Sequence, residues 1–176
     1  MNKNIIIRKV EFSDTNNILK WRNSELVMNN FIDRNKLTKE IHENWLKTKV
    51  ASKQVYQFIA HDVSNNRDFA STYLKDINNI HKKAEFGIFI GEIDYIGGGY
   101  GSIIAEQTID YGFKKLKLNK IYARILSYNK TSYNMFKKLG FHEDALLRKD
   151  VYIDGKPHDV YIVSILKNEW LLNNNQ

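Results

Sequence analysis

The sequence predicts one continuous domain of the α/β class, of the α+β type, with a central mixed sheet flanked by helices. Three observations carry this expectation. Stretches with an apolar period of two and stretches with a period of three to four succeed each other as strand, two helices, three strands, helix, strand, helix and a final strand pair. Four glycines crowd into Gly97-Gly98-Gly99-Tyr100-Gly101, immediately ahead of a helix-patterned stretch. Asp154-Gly155 stands between two alternating apolar runs, the pattern of a tight hairpin turn.

Taken in order, residues 5–10 are β-branched and bounded by polar residues, which reads as a first strand. Ser13-Asp14 caps a helix carrying Ile18, Leu19, Trp21 and Arg22 at helical spacing. Residues 29–35 read as a loop. Thr38 then caps a second helix with Ile41, Trp45 and Leu46 on one face. Residues 55–62 form a strand, 64–68 a turn, and 69–74 and 84–90 two further antiparallel strands. In 102–116, Ile104, Thr108 and Tyr111, with Ala105, Ile109, Gly112 and Leu116, recur every three or four positions, a helix with one buried face. A strand over 120–126 and a shorter helix over 131–139 follow, the latter closed by Gly140. Residues 147–153 and 159–166 are the arms of the hairpin, and 173–176 a polar tail.

Composition narrows the function class. The chain of 176 residues is 43% hydrophobic and 27% charged, enough for a real core, and no run approaches a membrane span. The apolar run Ile5-Ile6-Ile7 is too short for a signal peptide, so a cytoplasmic protein is expected. The absence of cysteine excludes disulfides, thiolate metal sites and a cysteine nucleophile. The net charge of +7 suits a polyanionic partner or simply a solvated lysine-rich surface. No aromatic-basic recognition motif accompanies it, so no nucleic-acid partner is expected. His42, His61, His81, His142 and His158 show no metal-ligand spacing, and no metal is assigned.

The glycine cluster is the chemically informative segment. With nearly every Cβ removed, its backbone can take positive φ and approach a ligand closely. Running into a helix start, it presents unpaired N–H groups and the positive dipole end together, which favours a phosphate or diphosphate. A glycine cluster alone equally marks an ordinary flexible loop.

Several segments together resemble the GNAT N-acetyltransferase superfamily, over nearly the whole chain. Ala84-Glu85-Phe86-Gly87-Ile88-Phe89-Ile90 resembles its fourth strand, and Ile96-Gly97-Gly98-Gly99-Tyr100-Gly101 its diphosphate loop. Leu118-Asn119-Lys120-Ile121-Tyr122 resembles the entry to its fifth strand, and Asn129 with Met135-Phe136-Lys137-Lys138-Leu139-Gly140-Phe141 its Asn…Tyr-x-x-x-Gly-Phe segment. The ending, from Arg148 to Leu166, resembles the ribosomal-protein and aminosugar branch. Lys20-Trp21-Arg22-Asn23 and His42 are similar to the aminosugar N-acetyltransferases of pseudaminic acid synthesis. The resemblance implies a sheet splayed between strands 4 and 5 and acetyl-CoA as co-substrate, held by the backbone of Phe89 and Ile90. It places the diphosphate on Gly97, Gly99, Tyr100, Gly101 and Ser102, with Asn129 and Phe136 as further cofactor contacts.

Two positions depart from the family pattern. Ile96 replaces the loop's usual Arg or Gln, a change that backbone donation survives. Phe136 stands where many members have a tyrosine that protonates the departing thiolate. Tyr133, water or no acid would have to serve, and a thiolate of pKa about 8.5 leaves acceptably near neutrality. Glu85 is the expected base for the acceptor amine, the alternative being a surface ion pair with a lysine such as Lys82; Glu92 is the second candidate, set against the favoured reading of a surface residue on the polar approach to the loop. Trp21, Arg22 and Tyr152 are expected on the substrate side. Trp21 could equally be a packing residue, Arg22 a partner of Glu25, and Tyr152 and Tyr161 cross-strand packing. Lys137 and Lys138 could reach a CoA phosphate or form a solvated face.

The expected function is direct acetyl transfer from acetyl-CoA to a small-molecule primary amine in a ternary complex. A nucleotide-linked amino sugar is the first choice of acceptor, then a polyamine, then a protein N-terminus. A CoA-binding sensor without turnover is the alternative from another class. A homodimer is a further expectation.

Overall fold

The computed structural model describes residues 3–174. β1 (Ile5–Lys9) leads through a 3-10 turn into α1 (Thr15–Arg22), as expected from the sequence. Asp14 does not cap α1 with its side chain. Its buried carboxylate instead accepts from Arg8 at 2.7 and 2.9 Å, and Arg8 also reaches Asp68 at 2.6 Å. α2 (Glu25–Met28) is a single turn, too short for a periodic signal.

α3 (Lys39–Trp45) starts at Thr38, whose Oγ1 accepts from the Ile41 N–H at 3.3 Å. The face expected to be buried is corrected: Ile41 is 54% exposed, while His42 is 2% exposed and lies 3.1 Å from Thr15 Oγ1. His42 and Leu46, four residues apart, form the inner stripe, and a hydroxyl on α1 makes the histidine tolerable there.

β2 (Tyr56–Asp62), β3 (Arg67–Asn78) and β4 (Lys83–Ile90) form an antiparallel meander. After α4 (Tyr100–Lys114), β5 (Lys120–Leu126), α5 (Lys130–Lys138), β6 (His142–Ile153), β7 (Lys156–Leu166) and α6 (Lys167–Asn174) complete the chain. The sheet runs β1-β2-β3-β4-β5-β7-β6, and among the described residues only β4 and β5 pair in parallel. Asp154 and Gly155 take φ of 51° and 74°, forming the expected turn between β6 and β7.

Three boundaries are corrected. α4 begins at Tyr100 rather than 102, because Gly99 is already its N-cap. β6 begins at His142, well ahead of 147, and hides its strand character behind His142-Glu143-Asp144. It is the edge strand, mostly exposed and broken in register at Glu143/Ala145 and Leu147/Val151, so it needs no alternation. Part of the polar tail is helix: Asn173 and Asn174 end α6, and residues 175 and 176 lie outside the described residues. Trp170 anchors that helix in the core.

Two cores face opposite sides of the sheet. On one side Ala105, Ile109 and Phe113 of α4, Phe136 of α5 and Trp170 of α6 pack with Phe86, Ile121 and Val163. On the other, Ile18 and Trp21 of α1, Val27 of α2 and Leu46 pack with Ile59 and Phe89.

Candidate active site

The site begins where the sheet comes apart. β4 and β5 pair only at Lys83–Lys120, Ala84–Ile121 and Glu85–Tyr122. Beyond that point β4 stays with β3 as far as Ile90, while β5 stays with β7 as far as Leu126. A wedge therefore opens between Phe86–Ile90 and Ala123–Leu126.

Strand alternation decides which backbone groups face this wedge. The Gly91 N–H donates to Phe69 O at 2.8 Å, and the Asn119 N–H to Lys82 O at 2.6 Å. Odd-numbered residues of β4 therefore turn their peptide groups to β3 and even-numbered ones to the β5 side. Ile90, with Phe86 and Ile88, presents N–H and C=O to the gap. The expectation for the Phe89 backbone is corrected: its groups belong to the β3 ladder, since adjacent residues of one strand cannot both face the same neighbour. The Phe89 ring sits on the opposite layer, edge-on to Phe31 at 5.7 Å.

The glycine loop closes the wide end of the wedge. Gly97 and Gly99 take φ of 79° and 77°, and Gly99 gives α4 no side-chain cap, leaving the first N–H groups at Tyr100, Gly101 and Ser102 unpaired within the helix. A Cβ on Gly97 would meet nothing within 4 Å, so open space adjoins the loop. A Cβ on Gly101 would meet Met135 Sδ of α5 at 3.1 Å and Ile90 Cδ1 at 3.9 Å. A diphosphate fits these features: side-chain-free backbone, unpaired donors and room, at the mouth of the gap.

α5 contributes less than expected. Asn129 caps it, its Oδ1 accepting from the Ser132 N–H at 3.1 Å, so only its amide nitrogen is left to donate. Phe136 is buried between Phe86 and Phe141, with ring centroids at 5.6 and 4.9 Å, and belongs to the core beneath the gap. Tyr133 does not replace the missing acid: its hydroxyl donates to Glu143 Oε2 at 2.7 Å, toward β6.

The other face of β4 carries the polar chemistry. Glu85, at the root of the wedge beside Tyr122, is largely enclosed and ion-paired with Lys75 at 3.2 Å, not with Lys82. The Tyr73 and Tyr122 phenols are both pushed up, first by burial and then by the Glu85 charge. Tyr73 lies on Gly87, where an added Cβ would come within 2.4 Å of its hydroxyl.

Glu92 is corrected as a base. Lys20 first, then Trp21 and Arg67, hold its carboxyl down at about 2, so it takes no proton near neutrality. Trp21 is likewise a packing residue: it is buried over Gly91, and its Nε1 donates to Glu92 at 2.7 Å. Tyr152 is 75% exposed on the outermost strand.

Arg22 is the unusual group. Its guanidinium lies 3.7 Å from the Phe31 ring centroid, and one nitrogen donates to Asp33 O. Nη1 is buried with no hydrogen-bond partner among the described residues, and burial lowers the pKa of the group. The Tyr73 hydroxyl shares this neighbourhood. Sequence reading missed Tyr73 and Phe31. The signal for Tyr73 was available in Gly87, because a glycine inside a strand marks a close approach.

These features coincide with a family match. Residues 4–142 match the model of the acetyltransferase (GNAT) domain. The chain belongs to the GNAT acetyltransferase family. Spermidine N(1)-acetyltransferase of Vibrio cholerae is 26% identical over 97% of this chain and 98% of its own length. The putative ribosomal N-acetyltransferase YdaF of Bacillus subtilis is 30% identical over 55% of this chain and 52% of its own. A crystal structure of the Vibrio cholerae spermidine N-acetyltransferase with CoA and spermine superposes with a TM-score of 0.89 at 24% identity, covering 95% and 98% of the two chains, a likeness of fold. This GNAT chain is an acetyl-CoA-dependent N-acetyltransferase acting on an amine. Among the described residues no His, Asp and Glu group could hold a metal, and no helix is long and apolar enough to cross a membrane.

Proposed function

We propose that the acceptor is a small primary amine whose molecule also carries an anionic group, and that an amino sugar on a nucleotide carrier is the best match. The observation that carries this reading is Arg22 Nη1, a buried guanidinium nitrogen with no hydrogen-bond partner among the described residues. A desolvated cation with an unsatisfied donor is costly unless a ligand oxygen completes it, and phosphate oxygens suit a guanidinium fork. Glu85 pairs with Lys75, Asp150 with Arg124 and Asp154 with Arg34, while Asp76 shares Lys75 with Glu85 and the Asp33 charge acts on Arg22.

Glu85 serves as the base, taking a proton from the ammonium, directly or through water, so that the nitrogen has a lone pair. The nitrogen then bonds to the acetyl carbon, the carbon–sulfur bond breaks, the nitrogen gives its surplus proton to solvent as the amide forms, and the thiolate takes a proton from solvent. The gap-facing groups of β4 position the thioester, and orientation supplies most of the acceleration.

A polyamine is the second reading. It is favoured by the whole-length similarity to a spermidine acetyltransferase, and the comparisons support it better than they support an amino sugar. A cytoplasmic enzyme acting as a homo-oligomer is consistent with either.

Release of CoA thiol over a panel of nucleotide-linked 4-amino sugars, spermidine, spermine and N-terminal peptides tests the choice. The amino-sugar reading expects turnover of the nucleotide-linked amine, with KM raised at least about tenfold by Arg22→Met, the loss of one charged hydrogen bond. Efficient turnover of spermidine alone, indifferent to Arg22→Met, overturns it in favour of the polyamine.

A further inference from the structure

We propose that Lys3 is a positioning residue for the glycine loop: its ammonium holds the Gly98 carbonyl and so turns the Gly99 N–H toward the diphosphate of acetyl-CoA. The inference rests on reading 97–102 as the diphosphate site. Lys3 lies just ahead of β1, far from the loop in sequence, yet its Nζ donates to Gly98 O. The same Nζ stands 4.3 Å from the Tyr100 ring centroid and 3.7 Å from where a Gly99 Cβ would be. One cation thus touches both neighbours of Gly99, the N-cap of α4.

The peptide joining Gly98 to Gly99 is trans, and in a trans peptide C=O and N–H point in opposite directions. A carbonyl drawn to Lys3 therefore sends the Gly99 N–H away from Lys3. This constraint matters because glycine on both sides of a peptide removes the steric reasons for one orientation over the flipped one. A flipped unit would offer an oxygen, not a donor, to an anion. The clustered glycines permit close approach but leave the direction of the amides open; Lys3 sets it. The platform is firm, since the Tyr100 ring meets Tyr95 at 4.9 Å and Phe69 at 5.6 Å. The loop's other flank, at Gly101, borders Met135 and Ile90 at the mouth of the gap.

Calorimetry on the full chain tests this without an acceptor. Lys3→Met should raise the Kd for CoA and for 3′-dephospho-CoA alike, by about fivefold, the size of one hydrogen bond net of solvation. Affinity for pantetheine, which lacks the diphosphate, should not change, and Lys3→Arg should restore CoA binding. An unchanged Kd for CoA in Lys3→Met overturns the proposal. So does a loss confined to CoA and absent with 3′-dephospho-CoA, which would place Lys3 on the 3′-phosphate, and so does an equal loss with pantetheine. Gly99→Asp separates the two levels. If it leaves CoA affinity intact, the loop assignment itself fails; if it weakens CoA while Lys3→Met does not, only the Lys3 role fails.

Discussion

Replacing Gly87 with alanine should damage acceptor handling while sparing the cofactor. An added Cβ would lie 2.2, 2.3 and 2.4 Å from three atoms of the Tyr73 ring, where ordinary contact begins near 3.4 Å. The ring must therefore retreat by about 1 Å or more, from a position beside Glu85 and Arg22. Forced overpacking of this kind costs about 1–3 kcal/mol, which for a domain of this size lowers Tm by about 2–12 °C. A displacement of about 1 Å in a group that shapes the site costs up to about 100-fold in kcat/KM. The Gly87 peptide groups turn to β3, so the gap-facing groups at Phe86, Ile88 and Ile90 keep their places and CoA affinity should hold. Steady-state release of CoA thiol with the preferred amine, calorimetry with CoA and a melting curve read the three quantities separately. In a Tyr73→Ala background Gly87→Ala should lower Tm little further, because the clash is pairwise. Wild-type acceptor kinetics and Tm in Gly87→Ala would refute the placement of Tyr73 against the β4 floor.

Two further outcomes follow from the same geometry. Glu85→Gln should lower kcat by about 10²–10⁴ with CoA affinity unchanged, and near-normal turnover across the pH range would remove Glu85 as the base. Glu92 has its carboxyl depressed from 4.5 to about 2, chiefly by Lys20, so its contribution to stability is complete above 4.5 and disappears as pH falls toward 2. Glu92→Gln should accordingly melt below wild type at neutral pH, with the gap narrowing between about pH 5 and pH 2; a gap that stays constant across that window contradicts the assigned ion pairs.

The glycine loop and its helix were legible in the sequence because their determinants are local. Gly97 and Gly99 adopt positive φ because nothing else in the loop does so cheaply, and Gly99 ends the loop where α4 begins. The α4 stripe at Ile104, Ala105, Thr108, Ile109 and Gly112 was read from spacing alone and is buried. The edge strand β6 and the short helix α2 were not, because one has almost no buried face and the other spans one turn. At the site, the strand pattern placed Glu85 on β4, whereas the partners of Glu92 were not legible because its three donors come from α1 and β3. Trp21 and Arg22 are neighbours in sequence and separate in fate: helix geometry turns one onto Gly91 and the other over Phe31.

Periodicity, turn chemistry and the clustered glycines alone determined the order of most elements and the diphosphate-suited bend, since each depends on residues within a few positions of one another. The extent of the wedge that the resemblance implied between β4 and β5, the isolation of Arg22 Nη1, the Tyr73–Gly87 contact and the reach of Lys3 to Gly98 were decided only by the tertiary structure. They depend on which strands part, which charges meet and which groups are shut away from water. Those relations arise between residues far apart in the chain, where no local pattern records them.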